Sequence, residues 1–218
     1  RGLGDVYKRQ TEPVGKNTAP AIALGIKYIE ALNNNKIDPI IIAAPSDHCI
    51  FDNKEFSKAI EDAVALAEHD YIVTFGVTPT KPDTGFGYIK TKNNKKLKEI
   101  SPKALKVDDF TEKPDLETAK KYAVSKNYFW NSGIFVFKAS VMLGELKKYQ
   151  PNIYDVIKNT NISSQSPTVP YQEFDQMPDI SIDYAVMEES KKLVLLPFEF
   201  HWEDLGSWEA IYLSLIHI

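Results

Sequence analysis

The sequence is poor in the residues that build disulfides, metal clusters and membrane spans. Its one cysteine, Cys49, excludes an intramolecular disulfide and a thiolate metal cluster. It has no uninterrupted apolar segment long enough to cross a bilayer and no signal-peptide pattern. Its net charge of −4 gives it no general affinity for nucleic acid or for an anionic membrane. We therefore expect a cytoplasmic protein whose partners include neither nucleic acid nor a membrane.

The length and apolar content are those of one domain of moderate size. The chain has 218 residues, of which 43% are hydrophobic, enough to bury a core. Residues 1–10 have neither helical nor strand periodicity, and residues 213–218 end abruptly. We expect both segments to be non-native. Residues 11–212 are then a partial domain of a natural protein that continues beyond both ends.

Helical and strand patterns alternate along the chain. Apolar residues at helical spacing predict helices over 18–32, 54–68, 116–125, 141–149 and 182–189. Short aliphatic or β-branched runs predict strands over 39–44, 71–77, 88–91, 107–111, 134–137 and 193–200. We expect the strand over 39–44 to be buried on both faces and the polar segment 159–170 to be a mobile surface loop. The alternation predicts an α/β fold with a largely parallel sheet.

Acidic residues follow two of the predicted strands, where such sheets bind ligands. Asp47, in Pro-Ser-Asp-His, follows the aliphatic strand; it can cap a turn or bind Mg²⁺, which takes one or two carboxylates. Asp204, in Trp-Glu-Asp-Leu-Gly, is a second candidate metal carboxylate if its strand lies near that of Asp47. His48 lacks a partner at metal spacing, and we interpret it as structural.

The segment Glu112-Lys113-Pro114 also follows a predicted strand. A carboxylate beside an amine can bind a molecule with hydroxyls and a phosphate, such as a sugar phosphate; the alternative is an exposed ion pair before a turn proline. Asn131 follows shortly in a predicted polar loop, Trp-Asn-Ser-Gly. Gly87, in Thr-Gly-Phe-Gly-Tyr, either lets a backbone approach a ligand or belongs to a turn. Neither a Walker loop nor a dinucleotide fingerprint occurs.

A polar segment, Glu12 to Pro20, leads into the first predicted helix. Thr18 or Asn17 would serve as its N-cap. Alternatively, the segment recognises guanine, since a carboxylate such as Glu12 can accept the two donors, N1–H and N2–H₂, on one side of that base. A helix N-terminus also favours a nearby phosphate.

Seven segments in a consistent order give the chain a family resemblance. They are EPVGKNTAPAIAL from Glu12, PSDH from Pro45, VTFGVTPTKPDTGFGYI from Val73, FTEKPD from Phe110, FWNSGIFVF from Phe129, SIDYAVME from Ser181 and WEDLGSW from Trp202. With these segments, which extend over roughly residues 12–212, the chain resembles the bacterial mannose-1-phosphate guanylyltransferases of the sugar nucleotidyltransferase superfamily.

The resemblance implies a Rossmann-like nucleotidyltransferase fold, with a mixed, mostly parallel sheet and flanking helices. It implies the transfer of GMP from GTP to mannose 1-phosphate, giving GDP-mannose and pyrophosphate, with Mg²⁺ as cofactor. The implied roles are guanine recognition by Glu12, Asn17 and Thr18; Mg²⁺ binding by Asp47 and Asp204; sugar binding by Gly87, Glu112 and Asn131; and neutralisation of the sugar phosphate by Lys113. With Asp47 and Asp204, Lys113 would form the catalytic set.

The sequence departs from the family pattern in two places. Lys16 stands where arginine is more common, which keeps the charge but loses the bidentate fork. Nothing in residues 1–10 matches the family's first strand and the glycine-rich triphosphate loop, so we expect the printed chain to be marginally stable and nearly inactive. There are two alternatives to this activity. The protein is a non-catalytic regulatory subunit that binds a nucleotide sugar, or it is an enzyme for another sugar 1-phosphate or nucleotide. A homo-oligomer and a further C-terminal domain are left open.

Overall fold

The computed structural model of the protein describes residues 12–33, 36–50, 53–160, 169–198 and 202–204. The predictions for residues 1–10 and 213–218, and for most of the 159–170 loop, therefore lie outside the described residues. The chain divides into two compact units. The first comprises Arg1–Pro39 and Met142–Glu189, and the second comprises Ile40–Val141 and Ser190–Ile218.

The elements follow in chain order. They are α1 (Thr18–Leu32), β1 (Ile40–Ala43), β2 (His48–Ile50), α2 (Asn53–Glu68), β3 (Ile72–Val77), β4 (Tyr88–Lys92), α3 (Lys95–Ile100), β5 (Leu105–Thr111), α4 (Leu116–Ala123), β6 (Tyr128–Lys138), α5 (Ala139–Tyr149), α6 (Pro151–Asn159), α7 (Tyr171–Phe174), a π-helical segment (Asp183–Met187), β7 (Leu193–Pro197) and β8 (Trp202–Asp204). No helix in the described part of the chain is long and apolar enough to cross a membrane.

The second unit is built on a six-stranded mixed sheet. Its strand order is β1-β6-β3-β7-β5-β4, and β4 also pairs with β6. Five strands (β3, β6, β4, β5 and β7) are therefore paired in a closed circuit, which we call the five-strand circuit. A separate antiparallel pair joins β2 to β8.

The prediction of a mostly parallel sheet is wrong for the described strands. Among them β3 and β7 alone pair in parallel; β6 runs antiparallel to β1, β3 and β4, and β5 runs antiparallel to β4 and β7. The sequence reasoning assumed that a helix between two strands is a crossover that restores the strand direction. Here α3 connects the antiparallel neighbours β4 and β5. The mixed sheet with flanking helices is confirmed.

Helix α2 and strand β3 form the centre of this unit's core. Ala63, Leu66 and Ala67 are buried on one face of α2, at the spacing of an amphipathic helix. They belong to the same apolar cluster as Val73 and Phe75 of β3. Their burial follows from the apolar pattern that predicted both elements.

Aromatic contacts extend this cluster. The Phe75 and Phe198 rings meet edge to face with centroids 5.5 Å apart, and Phe56 is tilted against both rings. Edge-to-face contacts of this kind contribute about 0.5–1.5 kcal/mol beyond the burial of apolar area. Phe198 directly follows β7, so the aromatic contacts link the end of that strand to the helix side of the sheet.

The predicted and observed elements differ where sequence signals are short. The strand predicted over 134–137 extends over Tyr128–Lys138, so the predicted Trp-Asn-Ser-Gly loop lies inside β6. Helix α5 ends at Tyr149, as predicted, and Pro151 begins a further helix, α6, that was not predicted; proline is tolerated at a first helical position. Strand β1 is not buried on both faces, since Ile42 is 48% exposed. The predicted helix at 182–189 is π-helical over Asp183–Met187.

In the first unit, α1 has the predicted bounds. Asn17 is its N-cap, as one of the two predicted candidates, and its side chain accepts the Thr18 N–H at 2.9 Å. Ala19, Ala23 and Ile26 are buried on one face of the helix. The Ala19 N–H donates to the carbonyl of Ile180 at 3.2 Å, which joins the start of α1 to the segment before the π-helical residues.

Gly76 in β3 supplies a stability prediction. A Cβ atom at this position would lie 2.6 and 2.8 Å from the two Cδ atoms of Leu195 and 2.8 Å from Phe129 Cβ. Since overpacking a core costs about 1–3 kcal/mol, we expect Gly76→Ala to lower the free energy of unfolding by about that amount. Urea denaturation measures the change. The control is Gly144→Ala in α5, where nothing lies within 4 Å of the new Cβ and a gain of about 0.5–1 kcal/mol is expected. Equal effects at both positions would contradict the packing argument.

Candidate functional site

A bulge in β6 organises the candidate site of the second unit. Thr74 of β3 pairs with Phe135, whereas Gly76 pairs with Asn131. One residue of β3, Phe75, therefore lies opposite three residues of β6, numbered 132–134. Gly133 has φ 70°, a left-handed conformation that glycine adopts without steric cost. Bulges of this kind redirect side chains and are frequent beside active sites.

The bulge places Asn131 beside Gly87 and Glu112. The Asn131 N–H donates to the Gly87 carbonyl at 2.8 Å. Tyr88 of β4 pairs with Trp130 of β6 on one side and with Thr111 of β5 on the other. Glu112, the residue after β5, therefore lies near Gly87 and Asn131. A Cβ placed on Gly87 would overlap Glu112 Oε2 and would lie 3.5 Å from Asn131 Cβ. Three of the predicted sugar-site residues are thus adjacent.

Lys113 completes this group through an uncommon backbone conformation. Its φ is 47°, and it precedes Pro114, which disfavours the right-handed helical region for the preceding residue. Consecutive residues of an extended strand point to opposite faces. The left-handed turn instead brings Lys113 Nζ within 3.8 Å of Glu112 Oε1. The Glu112 side chain is 12% exposed and that of Lys113 is 60% exposed, so the ammonium group is accessible to an anion next to a partly enclosed carboxylate.

Aromatic residues support the other side of the β4–β6 pair. Trp130 contacts Phe86 and Tyr88, with ring centroids 5.1 and 6.4 Å apart. The Tyr88 hydroxyl accepts the Asp83 N–H at 3.0 Å. Because Gly87 lies between Phe86 and Tyr88, these contacts fix the backbone that meets Asn131. This cluster was not foreseen from the sequence, although its aromatic residues flank the predicted site residues.

Asp47 and Asp204 are brought close by short strands. Asp47 precedes β2, and β2 pairs with β8 so that His48 lies opposite Asp204. The two strands named in the prediction, now β1 and β7, are separated by β6 and β3, so the backbones of Asp47 and Asp204 are brought near each other by the β2–β8 pair, which was not predicted. Pro45 and His48 also lie against the bulge, with Pro45 Cγ 3.4 Å and His48 Cε1 3.8 Å from the Cβ position of Gly133. The segment from Pro45 to His48, which we call the Asp47 loop, therefore lies beside β6, the strand that carries Asn131.

Asp47 and Asp204 have the donor chemistry that Mg²⁺ takes. This ion is bound through one or two carboxylates and keeps water and substrate phosphates as its other ligands. The backbones of the two aspartates lie close together across the β2–β8 pair, which is consistent with that requirement. Within the described ranges, no group of three or more histidine, cysteine, aspartate or glutamate residues is arranged to hold a metal ion.

In the first unit, the predicted recognition residues have different roles. Glu12 Oε1 is buried and has no hydrogen-bond partner among the described residues. Burial raises the pKa of the Glu12 carboxyl. Buried polar atoms are nearly always paired in native proteins, so this oxygen is the acceptor best suited to a ligand's donors.

Asn17 and Thr18 instead shape the loop that follows Glu12. The Asn17 side chain caps α1, and its backbone has φ 67° and ψ −173°, a region that glycine usually occupies. Thr18 Oγ1 accepts the Ile182 N–H at 2.8 Å. Lys16 forms an ion pair with Asp175 at 2.8 Å. These contacts tie the loop to the 175–182 segment.

Comparison with known proteins identifies the family. A protein-family model described as "Nucleotidyl transferase" matches residues 6–215. The chain belongs to the nucleotidyl transferase family. The residues that form the site, from Asp47 to Asp204, all fall within the matched range.

Over the aligned residues, curated relatives are about 40% identical to this nucleotidyl transferase domain. A mannose-1-phosphate guanylyltransferase of Salmonella muenchen is 41% identical over 206 residues, and one of Escherichia coli (strain K12) is 39% identical over 206 residues. The xanthan biosynthesis protein XanB of Xanthomonas campestris is 42% identical over 204 residues. Each alignment covers 92% of this chain and 42% of the relative. The chain therefore spans less than half the length of these relatives.

Two solved structures have a similar fold. One, described as a mannose-1-phosphate geranyltransferase from Thermus thermophilus, has a TM-score of 0.81 and 27% identity, and covers 97% of this chain and 58% of that chain. The other, described as a mannose-6-phosphate isomerase from Helicobacter pylori, has a TM-score of 0.73 and 33% identity, and covers 88% of this chain and 72% of that chain. Both support the α/β architecture with its mixed sheet.

Gly87→Ala tests the contact between Gly87 and Glu112. The added methyl group would displace the Glu112 carboxylate, the flexible end of a side chain, so we expect a moved carboxylate with little loss of stability. Crystal structures of the wild type and the variant measure the displacement, and thermal unfolding measures stability. Gly85→Ala is the control, because its Cβ would approach only Asp83 Oδ1, at 3.2 Å. An unmoved Glu112 carboxylate in Gly87→Ala would contradict the close approach.

Glu12→Gln tests the desolvated carboxylate. Because burial raises the Glu12 pKa above its ordinary value of 4.5, the folded state binds this proton more tightly than the unfolded state. Glu12 therefore destabilises the fold progressively as the pH rises above about 4.5. We expect Glu12→Gln to unfold at higher urea concentration than wild type at pH 7, with the difference vanishing near pH 4.5. Glu61→Gln, on the exposed face of α2, controls for the loss of one charge. A difference that is independent of pH would argue against this cause.

Proposed function

We propose that the protein containing this domain transfers GMP from GTP to mannose 1-phosphate, producing GDP-mannose and pyrophosphate. The observation that supports this most directly is the meeting of Gly87, Glu112, Lys113 and Asn131 in one place. A carboxylate that can accept sugar hydroxyls lies there beside an accessible ammonium group that can neutralise a phosphate. The names of the curated relatives supply the identity of the sugar and of the nucleotide.

The residues of the second unit account for sugar-phosphate binding. Glu112 accepts hydrogen bonds from sugar hydroxyls, and the missing side chain of Gly87 leaves room for the Glu112 carboxylate beside the Gly87 backbone, which contacts the sugar. Lys113 pairs with the phosphate of mannose 1-phosphate, since hydrogen bonds to a charged group are stronger than neutral ones. Asn131, held against Gly87, is the further polar contact in the sugar pocket.

The chemical step needs positioning and charge neutralisation rather than a protein nucleophile. An oxygen of mannose 1-phosphate attacks the α-phosphorus of GTP; the new P–O bond forms while the bond to the pyrophosphate oxygen breaks, and that electron pair leaves with pyrophosphate. Lys113 lowers the repulsion between the two anionic reactants. Asp47 and Asp204 would hold Mg²⁺, which supplies further neutralisation of phosphate charge when bound.

Glu12 accounts for the choice of nucleobase in the first unit. Its buried Oε1 has no partner among the described residues, and a carboxylate can accept both the N1–H and the N2–H₂ of guanine. The pairing edge of adenine lacks that pair of donors. Asn17 and Thr18 contribute through the loop shape that their hydrogen bonds impose. The proposed partners are therefore GTP and mannose 1-phosphate, in the cytoplasm.

Three alternatives predict different behaviour. A regulatory subunit would bind GDP-mannose without turnover, but the nearness of Asp47 and Asp204 favours a metal-dependent reaction, for which a binding module has less need. The Helicobacter pylori structure is described as an isomerase of mannose 6-phosphate. That description gives a second candidate reaction, the isomerisation of mannose 6-phosphate. A direct assay of isomerisation distinguishes it from nucleotidyl transfer. An enzyme for another sugar 1-phosphate is the remaining alternative.

Lys113→Met in the complete protein tests the proposed function. Wild type should release pyrophosphate from GTP, mannose 1-phosphate and Mg²⁺. Loss of a hydrogen bond to a charged group costs about 1.5–3 kcal/mol, so the KM for mannose 1-phosphate should rise roughly 10- to 100-fold. Lys121→Met, in the last turn of α4, is the control and should leave that KM unchanged. Steady-state pyrophosphate release measures both.

The substrate panel decides between the alternatives. ATP, UTP and dTTP with glucose 1-phosphate should give much slower pyrophosphate release than GTP with mannose 1-phosphate, and isomerisation of mannose 6-phosphate is measured in a separate assay. Absence of pyrophosphate release by wild type with GTP and mannose 1-phosphate would overturn the proposal. Binding of GDP-mannose without turnover would then identify the regulatory subunit, and faster turnover of another pair would identify a different substrate.

A further inference from the structure

Thr74 is a fully buried polar residue at the β6 bulge. It lies in the apolar strand β3 with no exposed surface, and a buried hydroxyl without a partner is costly. Its Oγ1 lies 2.9 Å from Asn131 Oδ1 and 3.3 Å from the Ile134 carbonyl oxygen. Asn131 directly precedes the three bulged residues, 132–134, and Ile134 is the last of them. One hydroxyl therefore reaches both ends of the bulge.

The hydrogen bonds at Asn131 fix which way its amide points. Gly133 N–H donates to Asn131 Oδ1 at 3.2 Å. If the amide were reversed, its NH₂ would face this N–H, and two donors would oppose each other. Oδ1 therefore faces Gly133, and the Thr74 hydroxyl donates to it. The amide NH₂ group therefore points away from the bulge and from Thr74, and it donates on the opposite side of Asn131.

We propose that Thr74 is a positioning residue for sugar-phosphate recognition, acting by holding the Asn131 amide in this orientation. The inference rests on the proposed function, since it requires that Asn131 belong to the sugar-phosphate site. Asn131 lies against Gly87, and Glu112 Oε2 occupies the space that a Cβ atom added to Gly87 would take. A rotation of the Asn131 amide would therefore alter the donors presented next to the Glu112 carboxylate. Thr74 has no need to touch the substrate in order to affect its binding.

The bulge also gives Thr74 a structural role, which the test must separate from positioning. Gly133 lies between the two acceptors of the Thr74 hydroxyl, and Pro45 and His48 contact that glycine. Loss of the hydroxyl alone leaves the shape of the side chain unchanged in Thr74→Val. Thr74→Ser keeps the hydroxyl and loses a methyl group. A positioning role predicts that function follows the hydroxyl, whereas a packing role predicts that stability follows the methyl group.

The experiment compares Thr74→Val and Thr74→Ser in the complete protein. Loss of one neutral hydrogen bond should raise the KM for mannose 1-phosphate about fivefold to tenfold in Thr74→Val, with the KM for GTP within twofold of wild type. Thr74→Ser should stay close to wild type in both constants. Titration calorimetry with mannose 1-phosphate provides a second measurement that does not depend on turnover.

Thr91→Val is the matched control. Thr91 is also a buried strand threonine of the second unit, and its Oγ1 donates to the Asn127 carbonyl oxygen at 3.2 Å. Its substitution should reduce stability without changing the KM for mannose 1-phosphate. An unchanged KM in Thr74→Val overturns the proposal, as does an equal rise in KM in Thr91→Val or in Thr74→Ser. If wild type neither binds nor uses mannose 1-phosphate, the proposed function fails first and the role of Thr74 fails with it.

Discussion

Strand β6 is the constraint on which the second unit depends. Its 11 residues pair with β1, β3 and β4, so its position determines that of three neighbours. Strand β3 pairs with β6 on both sides of the bulge at 132–134, whereas β4 pairs with β6 before the bulge and β1 pairs with it after the bulge. The candidate site lies at this change of partner. Asn131 is at the start of the bulge, and the Asp47 loop contacts Gly133 within it.

Local backbone strain accompanies the site residues. Lys113 and Asn17 have positive φ without being glycine, and residues in sparsely populated regions of this kind cost on the order of 1–3 kcal/mol. At Lys113 the strain brings an ammonium group and a carboxylate to one side of the chain. At Asn17 it turns the chain from the Glu12 segment into α1. The folded chain keeps this strain at both candidate binding segments. Strain of this kind is consistent with a backbone that is preorganised for binding.

The sequence predicted the long helices better than it predicted the pairing of the strands. Long periodic segments such as α1 and α2 were foreseen nearly to the residue, because their apolar spacing extends over several turns. The strands β2 and β8 and their pairing were not predicted, because three-residue strands have no detectable period. The Trp-Asn-Ser-Gly segment was assigned to a loop because its last three residues favour turns. Neighbouring strands on both sides stabilise it as a bulged strand, and such long-range pairing is not visible in a local pattern.

Thr74 was not foreseen because threonine is an ordinary strand residue. The partners of its hydroxyl lie 57 and 60 positions further along the chain, and sequence spacing cannot reveal such a pair. Glu112 and Lys113 were identified from adjacent charges, but their convergence depends on a left-handed turn before proline. The resemblance to a family supplied the proposed roles of these residues, and the structure supplied the contacts between them.

The order of the strands also has a consequence for synthesis on the ribosome. The five-strand circuit is completed by β7, which pairs with β3 and with β5. Residues 72–76 of β3 must therefore wait for Leu193–Pro197, some 120 positions later, and at roughly 5–20 residues per second this interval lasts about 6–24 seconds. During that time the nascent β3 lacks at least one of its two neighbours, β6 and β7, so the backbone groups along its β7 edge stay unpaired. Those groups remain available to other strands until β7 emerges and pairs with them.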